Sequence, residues 1–346
     1  MSDLSCVTLS TITHTNKSTW DEFIIRSPFT SLYYRYEFLQ AVEAGTNYKP
    51  RHIIVTKDSN IIGVFPNFIQ SIPQLPFKIL VSMDPGYGGP LINRQENYVI
   101  QLMVNQIRHI CKRNILAHYI QTQNPGFIRY HHFLLQHGYR LNLRYNHAIL
   151  SLKDRNYSDI KSCFSERRRR ELHKMETKNI TITDEPVTTD SLISFHQEYI
   201  QTMRRVGGAP YPLTFLLSLN NFLPNRMKLI SASKNGENIG QHLYLIDEER
   251  NMLISWILAI NKEYQKYYPS NLMHDHMIQW AIEQKFNTYD FGYAITDFRD
   301  GLFVFKEQFG VTIIPALNWE KSYSLLPIHF IKIGGRFYKK YFKSDQ

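Results

Sequence analysis

Apolar and polar residues follow one another along the chain in two periods, one typical of strands and one typical of helices. The run His52–Val55, a polar turn at residues 58–60 and the apolar run Ile61–Ile69 predict a β-hairpin. Residues Glu96–Lys112 carry apolar side chains at helical spacing and predict an amphipathic helix. Ser18, followed shortly by two acidic residues, predicts the start of another helix. The pattern is thus mixed helix and strand throughout.

The second half of the chain repeats the order of the first. At an offset of 177 residues Gly63 aligns with Gly240, and both lie in segments that read strand, polar turn, Ile-Gly and strand. At an offset of 172 residues Gly138 aligns with Gly310, and each follows a matching Phe and Gln. Two matches in the same order predict a tandem duplication, with chance similarity of short segments as the alternative.

Each half would then hold a hairpin, further strands, a helix and a terminal helix–Gly–strand unit. This is the element order of the GNAT class of acetyltransferases, in which helices flank a mixed sheet. We therefore predict an α/β (α+β) protein built from two tandem GNAT-like domains. The predicted domains are residues 1–155 and residues 156–320, and residues 321–346 form a basic, aromatic C-terminal tail.

The charge of the chain is unevenly distributed. The 346 residues carry a formal net charge of +10, which indicates a polyanionic partner such as a nucleotide, a nucleic acid or an acidic membrane surface. The net charge is +6 in residues 1–150, +4 in 151–180, −5 in 181–320 and +5 in 321–346. Local cationic sites are therefore favoured over a general nucleic-acid-binding surface, and no DNA partner is expected.

Other sequence features narrow the class of protein. With 43% hydrophobic residues the chain can bury a sizeable core, and it contains no apolar run of about 18 residues that would span a membrane. The three scattered cysteines form neither a disulfide framework nor a metal knuckle. The two histidines of His274-Asp275-His276 lie on different helix faces, which is poor metal geometry. We expect a cytoplasmic protein, at most peripheral to the inner face of the membrane, with no metal site and no permanently bound cofactor.

Four motifs in the second half resemble one known family. They read Asn261-x-x-Tyr264-x-x-Tyr267-Tyr268-Pro269, Trp280-Ala281, Tyr289-Asp290-Phe291-Gly292 and Phe305-Lys306-x-x-Phe309-Gly310. Together they are similar to the second half of the FemAB/FemX family of non-ribosomal peptidyl transferases, over residues 160–315. The resemblance implies tandem GNAT-like domains and transfer of amino acids from aminoacyl-tRNA to the peptide of a cell-wall precursor. Related branches act in exopolysaccharide systems.

The resemblance also implies catalytic roles for Phe305 and Lys306, which match the pair that stabilises the oxyanion at the transferred carbonyl. The residues themselves allow this chemistry, because a lysine among phenylalanines in a water-poor cleft supplies positive charge to a tetrahedral oxyanion. Asp290, at the end of a predicted strand, is the candidate orienting or basic carboxylate. The predicted catalytic residues are thus Lys306, Phe305 and Asp290, with an exposed helix lysine and a strand-end turn as the alternative interpretations.

Basic and aromatic residues form the predicted substrate-binding set. On a helix, Arg167, Arg170 and Lys174 share a face that could bind a diphosphate or an RNA backbone, with a solvated helix face as the alternative. Two arginines before a Gly-Gly loop suit bidentate contacts to phosphate or carboxylate. The family motifs add a tyrosine from the helix that ends in these arginines and the residues of the tyrosine motif. The full predicted set is Arg167, Arg170, Lys174, Tyr199, Arg204, Arg205, Asn261, Tyr267 and Tyr268.

Two missing sequence features leave the acyl donor open. A GNAT enzyme that uses acyl-CoA holds the pyrophosphate on the backbone of a Gly-rich turn, but the corresponding residues 265–271 contain no glycine. Residues 86–89 of the first half are Gly-rich and are interpreted as a turn after a strand. The long helical hairpin that many tRNA-using members carry has no counterpart in the sequence. Aminoacyl-tRNA and acyl-CoA both remain as co-substrates.

The leading hypothesis is a FemAB-like transferase that moves an aminoacyl or acyl group onto the amine of a nucleotide- or lipid-linked cell-envelope precursor. The first alternative is a GNAT-type N-acyltransferase that uses acyl-CoA. The second is a non-catalytic basic module that binds RNA or membranes. The aromatic and basic residues 330–343 are expected either to contact the membrane surface or to form a packing helix.

Overall fold

The structure is a computed structural model that describes residues 4–72, 76–112 and 114–324. In these residues the strands are β1 (Leu4–Leu9), β2 (Lys49–Pro50), β3 (His52–Lys57), β4 (Asn60–Phe65), β5 (Phe68–Ser71), β6 (Lys78–Ser82), β7 (Leu91–Ile92), β8 (Ile115–Gln121), β9 (Arg140–Asn142), β10 (Tyr145–Ser151), β11 (Ile180–Glu185), β12 (Met227–Lys234), β13 (Glu237–Asp247), β14 (Met252–Ala259), β15 (Thr288–Ile295), β16 (Thr312–Pro315) and β17 (Asn318–Ser322). The helices are α1 (His14–Ile25), α2 (Tyr36–Gly45), α3 (Glu96–Ile110), α4 (His131–Gln136), α5 (Tyr157–Ser162), α6 (Glu166–Met175), α7 (Thr189–Arg205), α8 (Leu213–Phe222), α9 (Pro269–Glu283) and α10 (Gly301–Glu307). The membrane contact expected of the C-terminal tail falls on residues outside those described.

The chain divides into two compact units. The first comprises the described residues up to Glu43, Asn47–Leu143 and those from Ala316 onward, and the second comprises Ala44–Thr46 and Arg144–Pro315. These bounds differ from the domains expected at 1–155, 156–320 and 321–346. The difference arises because β10 pairs with strands of the second unit, whereas β17 pairs with strands of the first.

The second unit contains one seven-stranded sheet in the order β11-β12-β13-β14-β15-β10-β16. All neighbours are antiparallel except β14 and β15, which run parallel and are connected through α9. These two strands pair over only three positions, Met252 with Thr288, Leu253 with Tyr289 and Ile254 with Asp290. Both strands continue well past this point, so the sheet opens between their carboxyl ends. Such an opening is a natural place for a ligand in a parallel sheet.

The first unit divides its strands between two sheets, in the orders β1-β3-β4-β7 and β2-β5-β6-β8-β17-β9. The expected continuous strand over Ile61–Ile69 is interrupted after Phe65, because Pro66 has no amide hydrogen for the ladder. Its two parts, β4 and β5, join different sheets. The helix expected to start at Ser18 is also longer than predicted and begins at His14, whereas the helix expected from Glu96 is found at α3.

The two hairpins β3–β4 and β12–β13 have the same register. Val55 pairs with Gly63 in the first hairpin and Ala232 pairs with Gly240 in the second, and each ladder shifts by one residue directly after this pair. Both two-residue turns have positive φ at both positions, as a type I′ turn requires. The turn residues are Asp58, Ser59, Asn235 and Gly236. The offset of 177 residues found in the sequence therefore relates the backbones as well.

The second sequence match is also visible in the backbone. Helix α4, Gly138 and β9 correspond to α10, Gly310 and β16, and both glycines have positive φ, of 81° and 68°. A left-handed glycine commonly ends a helix in this way. After the first of these segments, which lies in the first unit, the chain continues into β10, which pairs in the sheet of the second unit. After the second segment, which lies in the second unit, it continues into β17, which pairs in a sheet of the first unit. The two halves of the repeat thus also share this feature: each contributes one strand to the sheet formed mainly by the other half.

The core of the second unit lies between its sheet and the helices α5, α6, α9 and α10. Helix α9 contributes Met273, Met277 and Ile278, which are fully buried. Phe291 on β15 and Phe309 after α10 pack in the same cluster, with ring centroids 4.8 Å apart. This core fixes α10 against the carboxyl end of β15, where the sheet opens.

The repeated glycines give a matched test of this packing. A Cβ atom on Gly310 would lie 2.6 Å from the carbonyl oxygen of Cys163, whereas the nearest atom to one on Gly138 is Cε of Lys321 at 3.6 Å. We expect Gly138→Ala to cost about 1–2 kcal/mol of unfolding free energy for the left-handed backbone alone. Gly310→Ala should cost about 1–3 kcal/mol more from overpacking. Urea denaturation of both variants measures the difference, and equal losses would contradict the packing described here.

Candidate active site

Helix α10 holds the lysine that the family motif marks. The helix begins after Asp300, whose Oδ1 accepts hydrogen bonds of 3.0 Å from the backbone amides of Leu302 and Phe303. Lys306 lies one turn further on and is only 5% exposed. Its Nζ donates a hydrogen bond of 2.8 Å to the carbonyl oxygen of Tyr293 on β15. The alternative of an exposed helix lysine is therefore wrong, and the ammonium lies inside the unit beside the opening of the sheet.

The environment of Lys306 changes its acid–base behaviour. Burial lowers the pKa of Lys306 to about 8, and the carboxylates of Asp290 and Asp300 oppose part of that shift. Phe303 and Phe309, about one turn before and after Lys306, are buried as well, in line with the water-poor surroundings expected from the sequence. Near neutral pH the group is mostly a cation, and it loses its proton only slightly above neutrality. A cation of this kind can stabilise developing negative charge strongly, because little water screens it.

Asp290 lies on β15 and is fully buried. Its Oδ2 lies 3.3 Å from Nδ1 of His147 on β10, and its Oδ1 accepts a hydrogen bond of 2.7 Å from the amide of Gly292. Burial alone would raise the pKa of this carboxyl, but the pKa is lowered because His147, the Gly292 amide and Lys306 stabilise the carboxylate. Asp290 is therefore a fixed negative charge that suits an orienting role. Asp290 lies inside β15, which continues to Ile295, and not at the strand end as predicted, but its bond to the amide two residues on is the contact that the turn-forming alternative expects.

Gly292 shapes the opening between β14 and β15. The ladder between β10 and β15 shifts register between the pair His147–Tyr293 and the pair Ile149–Asp290, so Gly292 lies in a β-bulge with φ of 74°. A Cβ atom here would lie 3.0 Å from the carbonyl oxygen of Ser255 and 4.0 Å from Nζ of Lys306. The residue must therefore be glycine for two reasons, the backbone conformation and the space.

Three polar residues near this opening were missed in the sequence. They are His147, His242 on β13 and Ser255 on β14; Nε2 of His242 lies 2.9 Å from Oγ of Ser255. His147 and His242 are each only 1% exposed. The available signal was a histidine inside an otherwise apolar strand, since a fully buried polar group needs a partner. His274, interpreted as a core or surface residue, is buried and stacks on Phe291 at 4.7 Å.

The four consecutive arginines have different surroundings. Arg168 is 2% exposed, and its guanidinium lies against the rings of both Phe305 and Phe309, 4.5 and 4.4 Å from their centroids. Its Nη2 donates to the carbonyl oxygen of Phe305 at 3.1 Å, and its Nη1 lies 3.0 Å from Oε2 of Glu171. Burial lowers the pKa of Arg168 to about 10, so the side chain stays charged. Arg168 therefore ties α6 to the helix that carries Lys306, a role that the sequence did not reveal.

The predicted cationic stripe lies on the outer face of α6. Arg167 and Arg170 are exposed and lie near Glu171 and Glu166, at 2.9 and 3.7 Å, and Lys174 is exposed one turn further on. These surface pairs add little stability and can be replaced by a ligand at small cost. Binding of a polyanion by this stripe stays a prediction.

The other predicted binding residues lie at two places. Tyr199 is buried, and its hydroxyl accepts a hydrogen bond of 3.2 Å from the amide of Tyr211, so it serves the packing of α7. Near the end of the same helix Arg204 is exposed, while Nη1 of Arg205 donates to the carbonyl oxygen of Ile260 at 2.9 Å. None of these contacts places Tyr199 at the opening between β14 and β15.

The tyrosine motif forms the connection between β14 and α9. Asn261 caps a short 3-10 helix over Lys262–Tyr267, with its Oδ1 accepting from the amide of Glu263 at 3.1 Å. The ring of Tyr267 lies 5.0 Å from the ammonium of Lys234. Tyr268 then adopts a left-handed φ of 49° before Pro269 begins α9. The connection is thus an aromatic and basic turn in place of a glycine-rich one.

Comparison with known proteins identifies this part of the chain. The family model described as acetyltransferase (GNAT) domain matches residues 165–300. The second unit contains a GNAT-type acetyltransferase domain. The prediction that the protein is an acyltransferase is confirmed by this match. No curated protein matches the chain significantly in sequence.

Solved structures extend the similarity to almost the whole chain. FemX is 14% identical, with 93% of this chain and 99% of FemX covered at a TM-score of 0.68. L-PGS from Bacillus licheniformis is 14% identical, with 91% and 95% covered at 0.59. A tandem GNAT protein from the clavulanic acid biosynthesis pathway is 10% identical, with 94% and 100% covered at 0.58. The predicted fold of two tandem GNAT-like domains, and the resemblance to FemAB-like proteins in fold, are confirmed.

No group of three or more His, Cys, Asp or Glu side chains in residues 4–72, 76–112 and 114–324 is arranged to hold a metal ion. Among the same residues no helix combines the length and apolar character needed to cross a membrane.

The contrast between neighbouring arginines can be tested. Replacing Arg168 with Met removes the buried guanidinium that pairs with Glu171, bonds to the carbonyl oxygen of Phe305 and contacts two aromatic rings, so we expect a loss of about 3 kcal/mol in unfolding free energy. Arg167→Met, one residue away on the exposed face, should leave the stability nearly unchanged. Chemical denaturation measures both. A loss as large for Arg167→Met would show that the outer face, and not the buried guanidinium, holds the helix.

Proposed function

We propose that this protein is a FemAB-like transferase that moves an aminoacyl or acyl group onto the amine of a nucleotide- or lipid-linked cell-envelope precursor. The observation that carries the proposal is the buried ammonium of Lys306 at the opening between β14 and β15, beside the fixed carboxylate of Asp290. The similarity in fold to FemX and the four sequence motifs support the same reaction class.

The reaction can be written with the groups of this site. The neutral amine of the acceptor attacks the carbonyl carbon of the donor, and a C–N bond forms while the carbonyl oxygen becomes an oxyanion. The Lys306 ammonium stabilises this oxyanion, because its charge is already fixed in a water-poor position. The bond from carbon to the leaving oxygen or sulfur then breaks, and the leaving group takes the proton that the amine releases. Asp290 favours the charged form of Lys306 throughout.

The connection before α9 favours an aminoacyl ester over acyl-CoA. Tyr268 occupies a left-handed position where glycine would let a backbone approach a pyrophosphate, and Pro269 offers no amide at the first position of α9. The alternative, an N-acyltransferase that uses acyl-CoA, is supported by the match to a GNAT acetyltransferase model, since such domains typically use acyl-CoA.

The acceptor is proposed to be anionic. Arg167, Arg170 and Lys174 present an exposed cationic stripe on α6, and Arg204 is exposed at the end of α7. A diphosphate linker or a phospholipid headgroup provides the phosphate oxygens that arginine binds through paired hydrogen bonds. A non-catalytic basic module, the second alternative, would use the same residues, but it gives no reason to bury Lys306 and Asp290 together.

The charge of Lys306 should appear in the pH dependence of the reaction. Because the active form of Lys306 is protonated and its pKa is about 8, kcat/KM divided by the neutral fraction of the acceptor amine should fall about tenfold per pH unit above that value. Lys306→Arg keeps its charge, so the remaining activity should lose this descending limb. Lys306→Ala should lower kcat by about 10²–10³-fold.

Lys178→Met, at an exposed lysine of the same unit, serves as the control and should keep the wild-type profile. A Lys306→Ala variant that retains full turnover, or that retains full function in cells, would favour the non-catalytic module.

The donor and the class of acceptor can be separated in one assay. We expect cell extract incubated with the protein and radiolabelled aminoacyl-tRNA to yield a labelled product, whereas labelled acetyl-CoA should yield none. Extraction into organic solvent distinguishes a lipid-linked acceptor from a water-soluble nucleotide-linked one. Lys306→Ala protein provides the blank. Titration calorimetry adds a direct measure, and tight binding of acetyl-CoA would establish the acyl-CoA alternative instead.

A further inference from the structure

Ser255 occupies a particular position in the opened sheet. It directly follows Ile254, the last residue of β14 that pairs with β15. It lies opposite Tyr244 on β13, and the hydroxyl of Tyr244 lies 3.4 Å from the carbonyl oxygen of Met273 on α9. Since residues paired across neighbouring strands share a face of the sheet, the Ser255 side chain lies on the face covered by α9. Ser255 is also partly exposed, so a bound substrate can reach it.

Lys306 borders the same opening as the backbone of Ser255. The carbonyl oxygen of Ser255 and Nζ of Lys306 lie 3.0 and 4.0 Å from the point where a Cβ on Gly292 would stand. Both residues therefore border the space that Gly292 leaves empty. His242 lies near enough for the Lys306 charge to contribute to lowering its pKa.

The hydrogen bond between Ser255 and His242 has a direction that can be derived. His242 is 1% exposed, and burial, followed by the charge of Lys306, lowers its pKa to about 3, so the ring is neutral. Its Nδ1 has no hydrogen-bond partner in the part of the chain that the structure describes. A buried N–H without a partner is rarer than a buried acceptor without one. Nδ1 therefore carries no hydrogen, and in a neutral imidazole the hydrogen then lies on Nε2.

It follows that Nε2 of His242 donates to Oγ of Ser255 across the 2.9 Å between them. The hydroxyl hydrogen of Ser255 is then not used by His242. No other side-chain hydrogen bond of Ser255 occurs among residues 4–72, 76–112 and 114–324. The serine thus offers a hydrogen-bond donor at the opening where Lys306 offers a positive charge.

We infer that Ser255 is a catalytic residue whose hydroxyl donates a hydrogen bond to the oxyanion that Lys306 stabilises, and that His242 is the positioning residue that orients it. This inference rests on the proposed acyl transfer and deepens it, since it adds a second donor to the oxyanion site. A covalent acyl-serine is not part of it. A nucleophilic serine would have to give its proton to His242, whose Nε2 already carries one.

Kinetics of three variants test the inference. We expect Ser255→Ala to lower kcat about 10²-fold with little change in KM, as for the loss of one oxyanion donor. Ser255→Thr keeps the hydroxyl and should retain most of the activity. His242→Gln keeps an N–H donor near the position of Nε2 and should retain more activity than His242→Leu. In Ser255→Ala the descending limb near pH 8 should persist, because Lys306 is unchanged.

A second measurement does not depend on activity. Nitrogen-15 NMR of the histidine rings should show His242 as the neutral Nε2–H tautomer, with no titration between pH 5 and pH 9. A hydrogen on Nδ1, or full kcat in Ser255→Ala, would overturn the inference. If Lys306→Ala abolishes turnover while Ser255→Ala does not, only this inference fails. If neither substitution affects turnover, the proposed function fails with it.

Discussion

The separation of β14 from β15 after three residue pairs is the constraint on which the site depends. Where the strands part, their backbone groups no longer satisfy one another, and the space between them must be filled or used. The bulge at Gly292 keeps that space free of a side chain and turns its amide to Asp290. It also leaves the carbonyl oxygen of Tyr293 for the ammonium of Lys306.

The charges at this opening are costly to bury, and the unit reduces the cost by pairing. The ammonium of Lys306 is stabilised by a carbonyl oxygen and nearby carboxylates, and the carboxylate of Asp290 is stabilised by a histidine and a backbone amide. Arg168 has a carboxylate, a carbonyl oxygen and two aromatic faces. Hydrophobic residues in these positions would stabilise the fold at least as well. Clustered buried charge of this kind is therefore better explained by chemistry than by stability.

The sequence predicted the repeated elements well, because their signals are local. Polar turns, apolar periodicity and helix-ending glycines determine the hairpins, α3 and the ends of α4 and α10 within a few residues. Lys306, Phe305 and Asp290 were predicted as catalytic residues from motifs with fixed spacing. The strand predicted through Pro66 was too long, and α1 was predicted to start too late. Both errors concern only where an element begins or ends, and neither depends on a long-range contact.

The remaining parts depend on contacts between distant residues. His147 meets Asp290 because β10 inserts beside β15, and no local pattern announces that pairing. Ser255 and His242 are near each other only because of the ladder between β13 and β14. Among four identical arginines, only the orientation of α6 against α10 selects Arg168 for burial. The sequence lists these residues, but their contacts follow from the order of the strands and the packing of the helices.

The exchange of β10 and β17 has a consequence for how the chain can be divided. A cut at the boundary of the sequence repeat would leave each fragment with a sheet that lacks an interior strand, since β10 lies between β15 and β16, and β17 lies between β8 and β9. Each fragment would expose two strand edges that are now paired, and such edges associate with other chains. Each half of the chain thus supplies an interior strand to the sheet formed mainly by the other half.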